Sequence, residues 1–230
     1  MTENDTQQRI EITKNGPYIV RGSVPLSVKT IGVNADGEAV KWIEGRHYPL
    51  KATYTLCRCG KSKKHPFCDG THAKIAFDGT ETAGHTPILE LSKSYEGPEM
   101  TLTDARCFCA FVRFCNAHGG VWNQVTMTDD PEIRAAFLQE VWDCAAGRLI
   151  AWDNKTGEAV EPHFEPSIVL IEDPQKECSG PIWVRGGIPV IGADGTPYEI
   201  RNRVTLCRCG TSKNKPFCDG NHIVTHFNAT

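Results

Sequence analysis

No stretch of this sequence approaches the ~18 consecutive apolar residues that a membrane-crossing helix needs, so no membrane partner is expected. Strong charge of one sign is also missing. A formal net charge of -3 over 230 residues gives no global attraction to nucleic acid, and the small basic patches KSKKH (61–65) and TSKNK (211–215) read as solvated loop charge. Low-complexity tracts are absent. So are a phosphate-binding loop, a nucleophile–base pair and a paired-carboxylate pattern, which argues against an enzyme and assigns any catalysis to a partner. The opening MTENDTQQRIEIT lacks the apolar region of a secretory signal, so a cytoplasmic location is expected.

Cysteine, by contrast, is abundant. The count of eleven is odd, the spacings are tight, and thiols stay reduced in the cytoplasm, so metal binding is a better reading than disulfides. TLCRCGKSKKHPFCDGTH (55–72) and TLCRCGTSKNKPFCDGNH (205–222) agree at fourteen of eighteen positions. The likeness reaches upstream: GPYIVRGSVPL (16–26) answers to GPIWVRGGIPV (180–190), and NADGEAV (34–40) to GADGTPY (192–198). Each copy has short β-branched or aromatic stretches, an Asp-Gly turn, and a strand running into the first cysteine. The expected fold class is therefore α+β and β-rich. Two small β modules, 1–78 and 176–230, flank a small α+β middle domain, 79–175.

Both copies carry C-x-C-x8-C-x3-H: Cys57, Cys59, Cys68 and His72, then Cys207, Cys209, Cys218 and His222. A single zinc is normally gripped by C-x2-C knuckles. C-x-C is shorter, its thiolates are expected to alternate in direction, and soft sulfur donors suit an iron-sulfur cluster edge. A zinc-binding structural or protein-interaction module is the alternative.

At these residues the chain resembles the CDGSH iron-sulfur domain of the NEET family, whose signature is C-x-C-x2-S/T-x3-P-x-C-D-G-x-H. Cys57, Cys59, Ser62, Pro66, Cys68, Asp69, Gly70 and His72 fill it once, and Cys207, Cys209, Ser212, Pro216, Cys218, Asp219, Gly220 and His222 fill it again. Asn221 departs from the small residue usual at its position. The resemblance implies two 2Fe-2S clusters, each held by three cysteines and one histidine. It also implies a role in electron transfer, cluster transfer or redox sensing, with a redox protein or cluster-acceptor protein as partner. Relatives are intertwined homodimers with one motif per chain, so two copies in one chain imply an internal pseudo-dimer or a homodimer. Of the other motif residues, Asp69 and Asp219 are placed to cap the helix carrying the histidine, Pro66 and Pro216 to stiffen the loop, and Ser62 and Ser212 to donate to sulfur.

In the middle segment, Asp130-Pro131 opens an amphipathic helix within 128–144, with Ile133, Ala136, Phe137, Glu140 and Val141 as its stripe. LIAWDNKTGEAV (149–160) reads as a hairpin and SIVLIE (167–172) as a buried strand. Cys107, Cys109, Cys115 and Cys144 are enough for a third, 4Fe-4S cluster, and the segment faintly resembles divergent mono-cluster ferredoxin domains. Two other readings stay open. Cys107, Cys109, Cys115 and His118 can form a degenerate copy of the flanking motif, or these cysteines are buried small hydrophobes. Cys178 is left as an ordinary thiol.

Overall fold

The computed structural model describes residues 7–229; the first six residues of the N-terminal segment lie outside them. The strands of the first repeat are β1 (Arg9–Ile12), β2 (Tyr18–Arg21), β3 (Leu26–Val33), β4 (Ala39–His47) and β5 (Thr53–Leu56), followed by the one-turn helix α1 (Thr71–Lys74). The middle segment contributes β6 (Lys93–Glu96), β7 (Met100–Asp104), α2 (Val121–Gln124), α3 (Pro131–Trp142) and β8 (Leu149–Asp153). The second repeat contributes β9 (Ser167–Asp173), β10 (Cys178–Arg185), β11 (Val190–Ile191), β12 (Arg203–Leu206) and α4 (Asn221–Val224). No helix among the described residues is long and apolar enough to cross a membrane.

The two repeats exchange strands. One sheet runs β11-β1-β2-β5 and the other β12-β10-β9-β3-β4, so the three strands of the first repeat receive β11 from the second, and the three strands of the second receive the β3–β4 pair from the first. β3 lies parallel to β9, with Leu26 opposite Ile168, and β11 lies parallel to β1, with Val190 opposite Ile10. The apolar faces then merge into a single core that includes Ile10, Tyr18, Val20 and Leu56 of one repeat with Ile168, Ile182, Val184 and Leu206 of the other. Ser167–Asp173, which sequence boundaries assign to the middle segment, is the central strand of the second sheet and is buried at all but one position.

The copies differ beyond the exchange. The Asp-Gly turn of the first leads into a full β3–β4 hairpin, whereas its counterpart closes with one bridge between Ile191 and Pro197. Tyr18, at the position of Ile182, sends its hydroxyl across to the carbonyls of Cys207 (2.9 Å) and Pro216 (3.2 Å).

In the middle segment β6, β7 and β8 form an antiparallel sheet against which α3 packs. Asp130 accepts from the backbone N–H groups of Glu132 and Ile133 and Pro131 sits in the first turn, as the sequence predicts. The stripe is narrower than expected: only Phe137, Glu140 and Val141 are buried. The hairpin at 149–160 reduces to β8 and a single bridge from Trp152 to Ala159. Fully buried Arg203 of β12 ties this unit to the second repeat. It donates to the carbonyls of Cys144 (3.0 Å) and Leu149 (3.0 Å) and pairs with Glu161.

Candidate metal centres

In each repeat a strand ends at the first cysteine, a loop turns back through a cis X-Pro bond, and a one-turn helix presents the histidine. Cys57 Sγ lies 3.7 Å from Cys59 Sγ, and Cys68 Sγ lies 3.3 Å from His72 Nδ1. The second pocket repeats this, with 3.7 Å between Cys207 and Cys209 and 3.4 Å between Cys218 and His222 Nδ1. Two thiolates on one tetrahedral metal at about 2.3 Å stand about 3.8 Å apart, and a thiolate–imidazole pair about 3.5 Å. The C-x-C thiols thus converge on one metal position instead of alternating in direction, because the backbone turns out of the strand at Cys57 and Cys207. Among the described residues no three His, Cys, Asp or Glu side chains converge on a single ion. Each pocket thus presents its four donors as two pairs, each spaced as on one tetrahedral metal.

The sulfurs are met mainly by backbone N–H groups. Ser62 and Lys61 serve Cys57 and Cys59, Ser212 and Thr211 serve Cys207 and Cys209, and Gly70 (3.5 Å) and Gly220 (3.4 Å) serve Cys68 and Cys218. The serine hydroxyls do not point at sulfur. Ser62 Oγ donates to the Phe67 carbonyl (2.6 Å) and Ser212 Oγ to the Phe217 carbonyl (2.7 Å), while each accepts from a backbone N–H two residues on. The hydroxyl that does reach a sulfur is Thr211, 3.1 Å from Cys209, at a position occupied by Lys61 in the first copy. Asp69 takes the N–H of Thr71 (3.0 Å) with one oxygen and that of Lys63 (2.8 Å) with the other, and Asp219 does the same for Asn221 and Lys213. Each carboxylate thus joins the helix start to the loop. Asn221 fits as a further tie, donating to the Thr211 carbonyl at 3.0 Å.

Within each C-x-C pair one thiol ionises early and the other late. Burial pushes the Cys57 thiol up, but the adjoining His65 ring and the Ser62 amide more than offset it, leaving it at about 7; burial carries Cys59 to about 11. In the second pocket the hydrogen bond with Cys207 holds Cys209 at about 6, and Cys207 rises. Burial and then the Arg208 guanidinium pull His222 down to about 4, which keeps its imidazole in the neutral, metal-binding form.

The pockets touch each other and differ in cover. Gly60 has φ +70°, and a Cβ there would lie 2.7 Å from the Cys209 carbonyl carbon; at Gly210, φ +81°, one would lie 2.5 Å from the Cys59 oxygen. The two cysteine loops therefore abut back to back, reciprocally. Cys68 and His72 are half-buried, whereas Cys218 and His222 are 2% and 3% exposed. The cause is the middle segment: the Phe111 ring sits where a side chain on Gly220 would go, and nothing lies within 4 Å of the corresponding point at Gly70.

Of the four middle cysteines, Cys109, Cys115 and Cys144 line one small cavity with Arg148. Cys107 is exposed and lines the groove outside it. His118 does not join them; its Nδ1 lies 2.8 Å from Glu140 Oε1. Cys178 is buried in β10, which pushes its thiol up to about 11.

No curated protein and no solved structure matches the chain. The family described as "Iron-binding zinc finger CDGSH type" does match, at residues 15–73 and again at 179–223, which are the two pocket-bearing repeats. With duplicate cysteine–histidine pockets on exchanged sheets, the chain is an iron-sulfur, metal-binding protein that carries two tandem CDGSH-type domains around a different middle segment.

Proposed function

We propose that each repeat holds one 2Fe-2S cluster, through Cys57, Cys59, Cys68 and His72 in the first and Cys207, Cys209, Cys218 and His222 in the second, and that the chain acts in electron or cluster transfer. The observation that carries this reading is the division of each pocket into two donor pairs, each sized for one tetrahedral metal, with no third donor joining either. When bound, such a cluster supplies a one-electron couple whose potential rises as imidazole replaces thiolate.

The protein's own residues do the rest. The backbone N–H groups of 61–62 and 211–212 stabilise negative charge on sulfur, and the apolar core behind β5 and β12 keeps water from the C-x-C side. The histidine side differs between sites. Half-buried Cys68 and His72 present the first cluster to a redox protein or a cluster acceptor, while Phe111 shields the second cluster, which is retained.

Anaerobic purification with iron and sulfide counting tests this. Cys68→Ser and Cys218→Ser should each remove about two irons, and Cys115→Ser should leave both repeat spectra intact. On incubation with an apo-ferredoxin, the signal lost in Cys68→Ser should be the one that leaves first. Stoichiometric zinc in place of iron would establish the structural-module alternative instead.

A further inference from the structure

We propose that Cys109, Cys115 and Cys144 form a third metal centre, a three-thiolate seat for an iron-sulfur cluster on the floor of the groove between the middle segment and the second repeat. The three come from separate stretches: the loop after β7, the tight turn at 114–119 and the turn after α3. They nevertheless line one cavity of ≈ 10 Å³, and the room for a cluster lies in the adjacent groove of ≈ 900 Å³, whose wall includes Cys109 and Cys115.

The charge beside them suits thiolates. Arg148 is 5% exposed, pairs with buried Asp104 at 2.9 Å, and places its other terminal nitrogen 3.9 Å from Cys115 Sγ. A buried guanidinium so turned toward sulfur is poorly used by neutral thiols and well used by a cluster of net negative charge. The backbone carries a second sign. Phe111 and Arg113 both hold positive φ, 55° and 69°, between Cys109 and Cys115. Two such non-glycine residues cost of order 1–3 kcal/mol each, and outliers of this kind gather at functional sites. Arg113 is held there by its pair with Asp173 of β9.

Donor layout selects the group. Three soft thiols drawn from separate loops to one cavity are the donor type that an iron-sulfur cluster takes. Cys107 lies outside the cavity, with its backbone carbonyl accepting from Asn214, which makes the set three and not four. The seat also adjoins the second repeat, since Cys144 and Cys218 share one apolar cluster.

The test is iron bound per full-length chain after anaerobic reconstitution with ferrous iron and sulfide. Wild type should hold about seven to eight irons, and Cys115→Ser and Cys144→Ser should each fall to about four with the repeat spectra unchanged. Cys107→Ser should match wild type. Cys109→Ala supplies the same comparison if Cys115→Ser fails to fold. Because the centre is read as the difference between wild type and variant, it stands or falls apart from what the repeats hold. Equal iron in wild type and Cys115→Ser, loss of the extra iron in Cys107→Ser, or zinc alone at the seat would each overturn the proposal.

Discussion

Replacing Gly60 by alanine should damage both repeats at once. Gly60 sits at φ +70°, where a Cβ costs about 1–2 kcal/mol. The added atom would also overlap the Cys209 carbonyl oxygen and stand 2.7 Å from its carbon, so the opposing loop must retreat by roughly 1 Å to reach ordinary contact. Overpacking of this kind adds about 1–3 kcal/mol, for a total of about 2–5 kcal/mol. In a chain of this size that lowers Tm by roughly 5–20 °C. Gly157→Ala is the control, because Gly157 shares the positive φ, +72°, but has nothing within 4 Å of the added atom. It should show the backbone cost alone, at least about 1 kcal/mol less. The assay is thermal unfolding followed by circular dichroism, with visible absorbance recorded on the loaded protein. The diagnostic result is a change in the second pocket's spectrum from a substitution in the first repeat. If Gly60→Ala and Gly157→Ala melt together and the second pocket is undisturbed, the back-to-back loops are wrong.

Other outcomes follow from the same contacts. Tyr18→Phe removes a buried donor to the Cys207 and Pro216 carbonyls, so it should cost about 1–3 kcal/mol in unfolding titrations and alter the second pocket's spectrum, not the first. Phe111→Ala should uncover the second pocket, so that a chelator strips its iron several-fold faster while the first pocket's rate stays constant. Burial raises the Glu140 carboxyl, and one of its oxygens lacks a hydrogen-bond partner. The folded state then holds that proton longer than the unfolded state, so its charge lowers stability as pH rises from about 4.3. Glu140→Gln should therefore gain stability on wild type between pH 4 and 7 and lose that gain below pH 4, as read by denaturant midpoints against pH.

The cysteine motif, its repetition and the capped helix at Pro131 were legible because each rests on local chemistry: ligand spacing, turn residues, and Asp130 before proline. The strand exchange was not. Leu26–Val33 and Val190–Ile191 read as strands from their composition, but nothing local says whose sheet edge they join. The same holds for Ser167–Asp173, whose partners come from both repeats. At the pockets, the serines take a different role from the one expected of them. The serines bind loop carbonyls because a nearby backbone acceptor is better placed than sulfur. Thr211 carried a signal in being a hydroxyl directly after the C-x-C-G turn, where the first copy has lysine. Phe111, Tyr18 and Arg203 act across 42 to 198 positions of sequence, and only the folded chain brings them to their partners.

The central claim is that each repeat binds its cluster through one imidazole. Pulsed electron paramagnetic resonance of the reduced protein reads this directly, as hyperfine coupling from a ligating histidine nitrogen. Two coupled nitrogens should be seen, one from each repeat, with His72→Cys removing the first and His222→Cys the second while both clusters remain assembled. Reduced clusters with no strong nitrogen coupling, or a coupling that survives both substitutions, would contradict the account.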